Sequence, residues 1–131
     1  MIGAEETGEV GFMNALPHKD RPAAVYLINQ FELVDLVDIF FNGPTLQLQQ
    51  SYSLPEDHWQ QVIHSVLLTR LTMFHPNRQY PKQYQKFILN LAFKAYSRLY
   101  PEAELKMGEI AEHAERETPF FSQWFKQLLA L

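Results

Sequence analysis

The 131-residue chain contains no cysteine. That excludes disulfides, thiolate metal sites and cysteine nucleophiles, and it agrees with a reducing compartment. Glycine is scarce, with three of the five glycines before residue 12, so no Gly-rich phosphate loop can be assembled. Ser51, Ser53, Ser65, Ser97 and Ser122 all lack the glycine elbow of a hydrolase nucleophile. No uncharged apolar run approaches the roughly 18–20 residues that span a bilayer. The start of the chain carries Glu5, Glu6 and Glu9 where a secretory signal would be basic and then apolar. These absences predict a protein without enzymatic activity, without a cofactor and without a membrane partner, placed in the cytoplasm, or in the nucleus of a eukaryotic cell.

One further absence organises the rest. From His58 to Pro101 there is no Asp or Glu, while Arg70, Arg78, Lys82, Lys86, Lys94 and Arg98 all fall there. Residues 1–57 carry a formal charge of −7, residues 58–101 carry +6 and residues 102–131 carry −3, within a net −4. A modestly acidic chain is a poor nonspecific nucleic-acid binder, but its middle block taken alone would be a fair one.

What is present is apolar and helical in period. Hydrophobic residues make up 47% and aromatics 14%, enough for a core in one domain of this length. Residues 1–17 are expected to form a flexible acidic lead-in, and residues 18–131 a helical domain. Asp20 is a candidate N-cap. From Pro22 to Phe41, Val25, Leu27, Ile28, Phe31, Val34, Val37 and Phe41 recur at three- and four-residue steps, with Glu32, Asp35 and Asp38 on another face. One helix is predicted, ended by Asn42-Gly43-Pro44; the β-branched content leaves two strands as the alternative. Thr45 to Gln49 reads as extended linker or a helical turn.

Ser53-Leu54-Pro55-Glu56 has the form of a capping box, and the helix it opens should run to about Phe74, where His75-Pro76 stops it. Pro81 starts the next helix, to about Leu99. Tyr84, Phe87, Ile88, Leu91, Ala95 and Leu99 form one stripe on it, and Leu89, Phe93, Tyr96 and Tyr100 a second. A weaker acidic helix is expected from Pro101 to about Arg116, and Thr118-Pro119 caps a last one with Phe120, Phe121, Trp124, Phe125, Leu128 and Leu129. The predicted fold is all-α: one compact domain of about five helices, with an antiparallel central pair at 54–74 and 81–99.

Lys82, Lys86, Asn90, Lys94 and Arg98 are spaced every fourth residue, so their row winds by about 40° per step. This row either meets phosphates or an acidic protein face, or neutralises the chain's own Glu32–Asp35–Asp38 row. The histidines read as surface or helix-end residues. Glu109 and Glu117 each lie four residues from His113, but a metal needs three or four convergent ligands, and none is expected.

The segment Glu109-Ile110-Ala111-Glu112-His113-Ala114-Glu115-Arg116-Glu117-Thr118-Pro119-Phe120-Phe121-Ser122-Gln123-Trp124-Phe125-Lys126 resembles the helix-turn-helix of bacterial repressors. Ile110, Ala111, Ala114, Phe121 and Trp124 stand at its packing positions. It departs at Glu115, where the turn glycine belongs, and at Arg116, where an apolar residue should follow. The resemblance implies DNA reading by the second helix, whose opening Glu117, Phe120 and Phe121 offer little to base edges or phosphates.

The sequence thus predicts a helical protein-interaction module, an adaptor, regulator or assembly subunit, with a protein partner or self-association. The alternative is a nucleic-acid-binding regulator that uses the 70–98 block or the 109–126 segment. Arg78, Lys82, Lys86, Lys94, Arg98, Trp124 and Phe125 are the candidate partner-binding residues.

Overall fold

Prolines mark where helices begin. Pro22 lies in the first turn of one, Pro55 and Pro81 occupy N-cap positions, and Pro119 opens the last; there the missing N–H costs nothing. The structure, a computed structural model, describes residues 12, 13 and 15–131. Among the described residues it has seven α-helices and no strand. They are α1 (Arg21–Gln30), α2 (Leu33–Asn42), α3 (Leu46–Ser51), α4 (Glu56–Leu71), α5 (Lys82–Leu99), α6 (Ile110–Glu117) and α7 (Pro119–Leu129).

The all-α expectation holds, and the two-strand reading of residues 25–41 falls. The single helix expected there is two. The chain leaves helical geometry at Phe31 and Glu32, where the Asp35 carboxylate accepts the Glu32 N–H at 3.3 Å. Arg70 seals the break from α4 by donating to the Ile28 carbonyl at 3.1 Å, one of the carbonyls the end of α1 leaves unpaired. The break resets the helical phase. Leu36, Ile39 and Phe40 therefore go inward, while Val34 and Phe41 from the expected stripe are 73% and 54% exposed.

Helix α4 is the hub, with every residue from Val62 to Thr69 buried. Helices α1, α2 and α5 all pack against it, and α2 and α5 also meet each other. Helix α5 runs antiparallel to α4: Phe74 and Tyr84 meet at one end, ring centroids 5.5 Å apart, and His64 and Arg98 share a cleft at the other. Gln85, itself buried, holds the connection by donating to the carbonyls of Asn77 and Tyr80, both at 2.8 Å. The α6–α7 hairpin covers the far side of α5. There Phe121 stacks on Tyr96 at 5.1 Å, and Phe12 meets Phe121 edge-on at 5.5 Å.

Several local expectations are corrected. Helix α4 ends at Leu71 rather than near Phe74, and its N-cap is Pro55 with no side-chain cap, so the capping box at Ser53 does not form. The expected 101–116 helix is a 3-10 turn at Pro101–Ala103, a left-handed Glu104 (φ 48°), a second turn at Met107–Glu109, and only then α6. Thr118 precedes α7 without a side-chain cap. Phe87, expected inside, is 45% exposed, whereas Phe121 and Phe125 are fully buried. The lead-in falls largely outside the described residues, yet Phe12 and Leu16 are buried, so core packing begins before residue 18.

Candidate functional site

The basic row does not act as one strip. Its 40° drift per step carries its two ends to different sides of α5. Lys82 and Lys86 border a groove of about 260 Å³ with Gln85, Leu89, Leu128 and Leu129. Lys94 and Arg98 cross instead toward α2: the Lys94 ammonium lies 5.6 Å from the Phe41 ring centroid, and the Arg98 guanidinium 4.6 Å from that of Phe40. Arg78 is exposed in the connection before α5.

The expected neutralisation of the Glu32–Asp35–Asp38 row is limited to Arg70, 3.6 Å from Glu32. Asp38 accepts from Asn42 at 2.8 Å. Lys82, Lys86, Lys94, Arg98 and Arg78 form no ion pair among the described residues.

Trp124 and Phe125, also candidates for partner contact, belong mainly to the core. Phe125 is fully buried and Trp124 nearly so, its indole N–H donating to the Phe74 carbonyl at 2.8 Å. Only an edge of Trp124 reaches the surface, in a groove of about 550 Å³ shared with Phe120, Pro76 and Gln123. A heavy aromatic face at helical spacing is what a core looks like, and no sequence signal separates the two uses.

What the structure brings together is a cleft of about 640 Å³ where the C-terminal end of α2, the first turns of α4 and the last turn of α5 converge. Phe40, Trp59 and Ile63 line its apolar wall, and Gln60, Glu56, His64 and Arg98 supply the polar groups. His64, read from the sequence as a surface or helix-end residue, is 7% exposed and packs edge-on against Phe40 at 5.4 Å. It makes no hydrogen bond among the described residues. Burial first, and the Arg98 charge second, lower its pKa from 6.5 to about 4. At neutral pH it is therefore an uncharged ring with one N–H to donate.

The other histidines that could carry chemistry are engaged. The His58 Nδ1–H donates to the Asp20 carboxylate at 2.8 Å, across 38 residues of sequence. Asp20, expected to cap α1, is 1% exposed and makes no capping bond. Burial raises the Tyr96 phenol well above its ordinary pKa, so it stays protonated, and it shares a hydrogen bond with His113 Nδ1 at 2.8 Å. His113 thereby has a phenol partner beside Glu109 and Glu117. No group of three or more His, Asp or Glu side chains placed to hold a metal ion occurs among the described residues.

Beside the cleft runs an exposed apolar edge. Val34 and Phe41 share one side of α2 with half-buried Val37 between them, and Leu46 of α3, 69% exposed, follows. Because Lys94 covers Phe41, this edge faces the side of α5 that also carries Phe87, two turns earlier. The 109–126 segment does form two packed helices, but Thr118 alone joins them. The α7 cation Lys126 is paired back to Glu115, whose carboxyl that hydrogen bond and charge hold below the usual range.

No helix among the described residues is long and apolar enough to cross a membrane. Comparison with protein-family models, with curated proteins and with solved structures returned no match to this chain.

Proposed function

We propose that this chain is a non-enzymatic interaction module that holds an acidic, amphipathic segment of a protein partner along the α2–α5 face. One observation carries the reading: exposed Phe41 lies under the Lys94 ammonium, exposed Val34 and Phe87 stand two turns back on α2 and α5, and neither Lys94 nor Arg98 has an ion-pair partner among the described residues. Contiguous exposed apolar surface usually marks an interface, and the flanking positive charge selects an acidic occupant. Adaptor, regulator and assembly subunit are all roles for such a face.

The nucleic-acid alternative draws less support from the same geometry. The bases of the 70–98 block divide among Arg70 at the α1–α2 break, Arg78, Lys82 and Lys86 at one end of α5, and Lys94 and Arg98 at the other.

A photo-crosslinking residue at Val34 tests the proposal in source cells, with Gln61 on α4 as the control position. A discrete adduct at Val34, weakened by Lys94→Glu and resistant to moderate salt, is expected. Equal labelling at both positions sinks the proposal. So does tight binding of duplex or single-stranded probes that collapses between low and moderate salt, the mark of phosphate contacts.

A further inference from the structure

We propose that the cleft between α2, α4 and α5 is a binding site for a small monocarboxylate with a flat apolar body, held by Arg98 and His64. The argument begins with His64. This ring is 7% exposed and has no hydrogen bond among the described residues, and its nitrogens stay open to the cleft. Its nitrogens are not among the buried polar atoms sealed away without a partner, which are Asp20 Oδ1, Ser97 Oγ and Thr118 Oγ1. The ring lines the cleft, so an occupant there is what its N–H can reach.

Arg98 is the second anchor. Its guanidinium is held over the Phe40 ring at 4.6 Å and makes no ion pair, although Glu56 lines the same cleft. A planar fork fixed on an aromatic face suits the two oxygens of a carboxylate. Phe40, Trp59 and Ile63 then enclose an apolar body, and the cleft volume of about 640 Å³ falls within the roughly 300–1,000 Å³ of small-molecule sites.

The charge balance selects a monoanion. Among the described residues Arg98 is the only fixed cation lining the cleft, while Glu56 and the carbonyl end of α2 at Asn42 and Gly43 oppose a second negative charge. A neutral His64 donates one hydrogen bond and adds no charge.

The inference shares Arg98 and Phe41 with the protein-partner reading, and Lys94 separates the two. Lys94 is outside the cleft lining, so Lys94→Gln, which puts no acid one turn from Arg98, should weaken the partner adduct and leave small-acid binding intact.

The test uses the full chain, with 2-naphthoate as probe and 2-naphthamide as its uncharged isostere, by calorimetry and by NMR of the histidine rings. Naphthoate is expected to shift the His64 ring signals and to bind at least tenfold more tightly than the amide. Arg98→Gln should weaken it about tenfold or more, as for a charge-assisted pair, and His64→Phe about fivefold, with unchanged circular dichroism. Arg98 is exposed, so its variant keeps the test valid even if His64→Phe fails to fold.

Equal affinity for acid and amide overturns the proposal. So does unchanged binding by folded Arg98→Gln, or no binding at millimolar probe. A peptide ending in a free Phe carboxylate that binds more tightly than naphthoate overturns the small-molecule assignment.

Discussion

Acidification should destabilise this protein through His64, and the size of the effect follows from where the ring sits. The folded chain holds His64 uncharged down to a pKa of about 4, against 6.5 for the free side chain. Between those values the unfolded chain binds a proton that the folded chain does not. Stability from this group is therefore complete above about pH 6.5, falls as the pH drops toward 4, and is flat below. At about 1.4 kcal/mol per pH unit the ceiling is about 3 kcal/mol. The ring borders an open cleft, and solvent screening there reduces this to about 2 kcal/mol.

The assay is urea unfolding of the native chain and His64→Phe at pH 7.5, 6.5, 5.5 and 4.5, followed by tryptophan fluorescence and circular dichroism. Phenylalanine keeps a ring against Phe40 and never charges. Every other side chain is the same in both proteins, so its contribution cancels in the difference. The native chain should lose about 2 kcal/mol more than the variant between pH 7.5 and 4.5. Curves that stay parallel within about 0.5 kcal/mol would refute the reasoning, since a ring that charges freely in the folded state feels neither burial nor Arg98.

Three other perturbations have definite outcomes. Phe121→Ala should cost about 3–5 kcal/mol in chemical denaturation, as a fully buried ring stacked between Tyr96 and Phe125, while Phe87→Ala should cost less than about 1. His58→Ala should cost about 2–3 kcal/mol, because it strands the Asp20 carboxylate at 1% exposure without its hydrogen bond; a thermal melt matching the native chain would refute this. Gly43→Ala should cost about 1–3 kcal/mol purely from its φ of 86°, since an added Cβ meets nothing within 4 Å. A neutral result there would mean that the turn readily relaxes.

The helical class, the stop at Gly43, the α5 span and the starts at Pro22, Pro55, Pro81 and Pro119 were legible in local sequence, because each depends on residues within one or two turns. The break at Phe31 was half legible: Glu32 and Asp35 have cap spacing, but a continuous apolar period ran through them. The phase beyond it was therefore misread, and the expected buried stripe became the exposed edge of Val34 and Phe41. The winding of the basic row follows from helix geometry, yet which neighbours its two ends meet does not.

The sequence by itself determined that this is a cysteine-free helical chain with an acid-free, basic centre, since composition and period act locally. Tertiary structure alone decided that Phe40, His64 and Arg98 share one cleft and that Asp20 reaches His58. Those pairings depend on how α2, α4 and α5 pack, which is set by the summed burial of many side chains rather than by any pattern near the residues themselves.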